Sequence, residues 1–355
     1  MTTPSGAFAR FNSKLGRAAV PLAGRAVWRL RLERDAYRVR RRHVELALFH
    51  EFEASPGGGA HQSLRALVAE CVRRGVVIGH NTLGRDTPAC LFNSFNFDAS
   101  RLRVFSHRNG SARMVHRVGA VTTLYRGYDD GTDARVGAIN SEFAHATIAI
   151  SHATIEMYRQ VGIELVDPHV VYNACDPAIF HSQGRIPFSR SRKTRIIACS
   201  WSPNPRKGGP TYRWLEDNLD WSRFELTFVG NSSTEFHRLR HLPAMPSPKL
   251  AALLRDQDIF LTATEHDAYS NALVEALSCG LPALYRASGG SAEAVKEAGF
   301  SFTDQAEIPE LLDRLVEEYE YRQALISLPT IDEIADGYLE VLGLHEFVRG
   351  HGDGD

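Results

Sequence analysis

The run from Thr264 to Pro282, T-E-H-D-A-Y-S-N-A-L-V-E-A-L-S-C-G-L-P, decides how this chain folds. Just before it, Asp258-Ile259-Phe260-Leu261 is a short apolar run that reads as a buried parallel strand. Asp267, Ala268 and Tyr269 then form a loop, Ser270 or Asn271 caps a helix, and Leu273, Val274, Ala276 and Leu277 carry it. Gly280 closes that helix, with Pro282 just beyond. A strand, loop and helix in this order leave acidic side chains and free amides at the carboxyl edge of a sheet. Open α/β folds take their ligands there. Asp267 and Glu275 would stand ~12 Å apart if both lay on one helix, too far to share a proton or to flank one bond as a hydrolase pair does. The spacing suits two ends of an extended ligand rich in hydroxyls, such as a sugar plus a ribose. An exposed loop Asp and a helix-surface Glu are the competing reading.

The same alternation runs outward in both directions. On the N-terminal side of the second half, Arg195–Cys199 is a strand, S-W-S-P-N-P-R-K-G-G a loop, and Pro210–Leu219 a helix. Leu226–Val229 is a strand ending at Gly230-Asn231, and Lys249–Arg255 a short helix. Beyond the central run, Ala283-Leu284-Tyr285 is a strand followed by Ser288-Gly289-Gly290 and Glu293. The first half starts with a strand at Glu45–His50, a loop holding Pro56-Gly57-Gly58-Gly59, a helix over Gln62–Arg74 and a strand at Val76–Ile78. Strand-like runs follow at Arg103–Phe105, Met114–Val118, Thr147–Ile150 and Val170–Tyr172, with helices through Val136, Ile139 and Phe143 and over His152–Val161. Alternation on this scale predicts parallel sheets with helices on both faces, built twice. The boundaries read as a basic extension over 1–43, a first domain over 44–184, a hinge at Gly184–Thr194, a second domain over 195–325, and a helix with a polar tail over 326–355.

Composition narrows the class. With 355 residues, 43% hydrophobic and 23% charged, the chain suits a globular protein with ample core. No apolar run approaches the ~18 residues a membrane span needs, and the first apolar stretches are broken by Arg, Pro and Gly, unlike a secretory signal. Five scattered cysteines, never spaced C-x-x-C, read as reduced thiols, so a cytoplasmic location is expected. The net charge of -1 hides an asymmetry: residues 1–43 hold eleven Lys and Arg against Glu33 and Asp35. With Phe8, Phe11, Val27, Trp28 and Leu30 among them, they could lie on an anionic membrane surface. A solvated arm is the alternative, and a transit peptide a third. Nucleic acid is not an expected partner, because nothing later supplies a basic face with aromatics.

Three turns are candidates for holding phosphate. Arg206-Lys207-Gly208-Gly209 places two cations and free helix amides between a strand and a helix. Ser288-Gly289-Gly290 is a second turn, and Gly57-Gly58-Gly59 a third. The last is neither a dinucleotide fingerprint, since Gln62 stands where the third glycine belongs, nor a P-loop. Asp256-Gln257-Asp258 precedes its strand and Asp353-Gly354-Asp355 ends the chain, so neither is expected to bind metal. His237 and His241 read as a surface pair.

Lys207-Gly208 after one strand, Asn231 after the next, Asp267 and Glu275, Cys279-Gly280-Leu281-Pro282, and Gly289-Gly290-x-x-Glu293 resemble glycosyltransferase family 4 of the GT-B superfamily, of the bacterial cell-surface polysaccharide type. His116-Arg117 and Asn173-x-x-Asp176-x-x-x-Phe180 agree with the resemblance, which spans about residues 45–305. It implies two Rossmann-like domains facing a cleft, a UDP- or GDP-sugar donor, no metal or separate cofactor, and retention of anomeric configuration. Lys207 and Arg206 would then hold the diphosphate, with Asn231, Gly58, Gly59, Gly289 and Gly290 around the donor. Glu275 would take the ribose hydroxyls, Asp267 those of the transferred sugar, and His116 would lie near that sugar. Asp267, His116 and Lys207 are thus the expected catalytic set. Two departures stand out: Asp267 replaces the family's usual Glu, and Val118-Gly119 stands where an acid often follows the histidine. The expected activity is transfer to a glycan or lipid-linked acceptor, at the inner membrane face if residues 1–43 bind there. A nucleotide-sugar-binding protein without catalysis is the alternative, and a sugar-nucleotide epimerase a third reading.

Overall fold

The structure, a computed structural model, describes residues 43–52 and 59–348. The basic extension, the polar tail and Gly58 of the glycine turn lie outside the described residues, and no side chains are described at Gly59 and Ala60.

Two six-stranded parallel sheets form among the described residues. In the first, β1 (Leu46–Phe49) lies between β2 (Ile78–His80) and β3 (Ala89–Asn93), and β4 (Arg113–Val118), β5 (Ala146–Ala149) and β6 (Pro168–Val170) follow outward from β3. In the second, β7 (Thr194–Ser200) lies between β8 (Phe224–Gly230) and β10 (Ile259–Thr262). Beyond β8 is β9 (Arg240–Leu242), and beyond β10 are β11 (Ala283–Arg286) and β12 (Gly299–Phe302). Each sheet therefore reverses its winding once, at β1/β3 and at β7/β10. Such reversals open a crevice at the carboxyl ends of the strands. Apolar runs form these strands because both faces are covered by helices: every residue of β1, β3 and β10 is buried.

The largest differences from the sequence reading lie in the first domain. Arg103-Val104-Phe105, expected as a strand, lies inside the helix α2 (Ala99–Arg108), which follows α1 (Gly59–Arg73). Asp98 caps α2 by accepting from the amides of Ser100 and Arg101, and Leu102 and Phe105 share its buried side. The central strand β3 went unread, since A-C-L-F-N is short and lacks β-branched residues.

The chain ends by crossing back. The last α-helix among the described residues, α12 (Ile331–Leu342), packs Ile334, Ala335, Tyr338 and Leu339 into the first domain's core with Leu46, Leu48, Leu64 and Val115. Arg74 ties it down through Asp332 and Asp336, and Arg113 Nε donates to Val341 O at 2.8 Å. Thr330 and Glu333 form the capping box that starts it, and Gly343 at φ 73° ends it. Another apolar cluster runs without a break between the domains, with Val118, Ala149 and Phe180 from the first against Phe260, Leu273 and Tyr285 from the second.

Candidate active site

A cavity of about 720 Å³ lies where the two winding reversals face each other. Ser94 and Asn96 after β3 and Gly119 after β4 form one wall; Trp201 after β7 and Thr264 and Asp267 after β10 form the other.

Lys207 reaches this cavity because its turn is tightly specified. Asn204 Oδ1 accepts from Arg206 N, and a single 3-10 turn spans Pro205–Lys207. Gly208 follows at φ 93°, where a Cβ would come 2.7 Å from Ala263 Cβ, so only glycine closes the turn against β10. The Lys207 Nζ then lies 2.9 Å from Asp267 Oδ2 and 5.8 Å from the centre of the Tyr125 ring. Asp267 is fixed from behind: its carbonyl accepts from Gly290 N at 2.8 Å.

Glu275 stands on α8 (Asn271–Ser278), whose N-terminus Ser270 caps. It is 9% exposed and lines the cavity, and its carboxyl group has no hydrogen-bond or ion-pair partner among the described residues. Burial pushes its pKa up to about 8. At neutral pH it is mostly a neutral acid, able to donate one hydrogen bond and accept others. The cavity thus offers a cation beside a carboxylate, and a protonated carboxyl as well.

The other expected site residues sit elsewhere. His116 is fully buried and does not line the cavity: its ring stacks on Phe92 at 4.6 Å, Nε2 faces Ser94 O at 2.9 Å and Nδ1 faces Asn140 at 3.1 Å. Burial holds its pKa at about 4, so it is neutral there. Arg206 does not line the cavity; its guanidinium donates to Leu124 O and packs on Gly127 of the first domain. Asn231 is exposed and braces the Trp201 loop through a 2.8 Å bond to its carbonyl. Gly289 and Gly290 lie behind the site: Cβ atoms there would come 2.0 and 1.9 Å from the carbonyls of Asp267 and Ala268. Gly59 opens α1. Asp258, the second acid of D-Q-D, is buried between Arg192 at 2.6 Å and Arg195 at 3.3 Å, a structural role.

Of the pair His116-Arg117, it is Arg117 that lines the cavity. Neighbours on a strand point to opposite faces, so the signal was its alternation with His116.

Residues 236–327 match the family model of the group 1 glycosyl transferases. A search of curated proteins found no match. Among solved structures, the chain is similar to sucrose-phosphate synthase from Thermosynechococcus elongatus: TM-score 0.63, 12% identity, covering 85% of this chain and 94% of that one. It is also similar to Anabaena HepE in complex with UDP-glucose: TM-score 0.58, 14% identity, 85% of this chain and 97% of that one. A third is a trehalose 6-phosphate synthase from Burkholderia multivorans: TM-score 0.53, 11% identity, 81% and 76% covered. The fold is GT-B, two Rossmann-like domains facing a cleft.

Proposed function

We propose that the protein is a glycosyltransferase that moves a sugar, with retention, from a nucleotide-diphosphate sugar to a glycan or lipid-linked acceptor. The observation that carries this reading is the shared cavity: Lys207, Asp267 and Glu275 line it together, on the side of the domain that holds the group 1 match. Lys207 meets the diphosphate and stabilises the charge that builds on the leaving oxygen as the bond to the anomeric carbon breaks. The diphosphate competes with Asp267 for Lys207, which frees that carboxylate for the sugar hydroxyls. Glu275 binds the ribose. Closure of the cleft keeps water from taking the acceptor's place. HepE has been crystallised with UDP-glucose and with UDP, which favours a uridine donor as the first to try. The reaction needs no metal in this scheme, and family 4 remains the finer assignment.

Product formation from UDP- and GDP-sugars, in EDTA and with a panel of glycan acceptors, tests the proposal. Lys207→Ala is expected to lower kcat by about two to three orders of magnitude, as loss of a preorganised charge does. The place of His116 favours a second reading, a nucleotide-sugar-binding protein without catalysis. Donor binding with no transfer to any acceptor would select it. Among the described residues no helix is long and apolar enough to cross a membrane. We place the acceptor at an anionic membrane surface, approached through residues 1–43. Unchanged partitioning to anionic vesicles after their removal would contradict that.

A further inference from the structure

The first domain's wall of the cavity holds a cation that donor binding leaves unused. Arg117, on β4, is 2% exposed and lines the cavity. Its Nε donates to Tyr338 Oη at 2.8 Å and Nη1 to Asn93 Oδ1 at 2.7 Å. Nη2 donates to Asn173 Oδ1 at 2.6 Å and to Ser63 Oγ at 3.4 Å. All four partners are neutral, and one N–H of Nη1 is left over from the guanidinium's five. Among the described residues Arg117 forms no ion pair. On the packed helices, Glu70 binds Arg73 at 2.6 Å and Arg74 at 2.7 Å, and Asp336 also binds Arg74.

The surroundings add positive charge instead of removing it. His50 shares Asn93 with Arg117 and faces His61 at 3.1 Å. Its pKa is held at about 4, by burial first and then by His61, Arg117, Arg65 and His80. A guanidinium removed from water without an anion is costly. Four fixed acceptors pin its planar fork at the cavity wall and leave a single N–H of Nη1 for an incoming oxygen.

We propose that Arg117 anchors an oxyanion subsite on the acceptor side of the cleft, and that the acceptor carries a phosphate group. The inference rests on the transferase reading and sharpens it to an acceptor class. Two sources share this chemistry, the phosphate monoester of a sugar phosphate and the phosphodiester of a lipid-linked glycan. Asn93 and Asn173 hold the fork in place, and both line the cavity with it. The same anion would relieve the positive field on His50.

The test is isothermal titration at constant ionic strength, with the donor subsite filled by saturating UDP. Glucose 6-phosphate, glycerophosphoglycerol and plain glucose serve as probes. The wild type is expected to prefer a phosphorylated probe over glucose by about tenfold or more, the size of a charged hydrogen bond. A preference for the monoester indicates a sugar phosphate, and one for the diester a lipid-linked acceptor. Arg117→Gln should abolish the preference and Arg117→Lys keep part of it. If Arg117→Gln does not fold, Asn173→Asp places a carboxylate against the guanidinium at nearly constant volume and should abolish the preference too. No preference in the wild type, its survival in a folded Arg117→Gln or Asn173→Asp protein, or displacement of UDP by the probes would each overturn the proposal. The donor reading is scored apart, by UDP affinity, which these two variants should leave intact.

Discussion

Glu275 is a carboxyl group kept where it cannot easily ionise, and this makes a test at the scale of one residue. Its pKa stands near 8 in the fold against an ordinary 4.5, so between these values the folded chain holds a proton that the unfolded chain has lost. Stability therefore falls as pH rises through that window and levels off above about 8. His50 and His116 act oppositely: with pKa values lowered from 6.5 to about 4, they add stability above 6.5 that is lost as pH falls toward 4. The summed contribution of these three groups peaks near pH 6.5. Glu275→Gln should remove the decline above that pH and steepen the rise between pH 5 and 6.5, read as thermal midpoints from pH 5 to 9. A decline of the same size in the variant would contradict the burial argument. That Lys207, Asp267 and Glu275 share one cavity was legible because each lies in the loop or helix that follows a strand of the second sheet. The places of His116 and Arg206 were not. Which face of a strand is lined by helices, and which way a long side chain swings between domains, depends on contacts far along the chain.

At the scale of elements, the loop carrying Asp267 is held by another loop, not by its own sequence. Gly289 and Gly290 pass so close beneath it that a Cβ would overlap the Asp267 or Ala268 carbonyl. The sequence reads the two glycines as a turn around the donor, and the structure shows them against backbone; a close approach to backbone and one to phosphate demand the same residue. Gly289→Ala should therefore push Asp267 away from Lys207, costing about 1–3 kcal/mol of stability and most of the transferase activity. Full activity at a normal melting temperature would show that the packing is not needed. The strand β3 illustrates the opposite limit: five residues buried on both sides carry no periodicity to read.

At the scale of the whole molecule, the two domains are joined by more than a hinge. Glu293, on the second domain, accepts from the amides of His152 and Ala153 at 2.8 Å each, capping the helix α5 (His152–Gln160) of the first. Ser151 Oγ donates to Ala268 O at 2.6 Å beside it. A carboxylate at a helix N-terminus is favoured by the unpaired amides and the helix dipole. Glu293→Ala should speed hydrogen exchange at the first turn of α5 and weaken donor binding through a looser cleft. Unchanged exchange there would mean that the apolar cluster alone holds the domains. The two-domain alternation was plain in the sequence; the return of α12 to the first domain was not, because an amphipathic helix does not declare which core it covers.

The central claim is that Lys207 and Glu275 grip opposite ends of one nucleoside diphosphate across a shared cavity. Calorimetric titration of UDP, with GDP and ADP alongside, into wild type, Lys207→Ala, Glu275→Ala and the double variant tests it most directly. The account predicts saturable binding of one diphosphate by the wild type, about tenfold or greater weakening in each single variant, and nearly additive losses in the double variant. Binding of no nucleoside diphosphate by the folded wild type, or binding that both substitutions leave untouched, would contradict it.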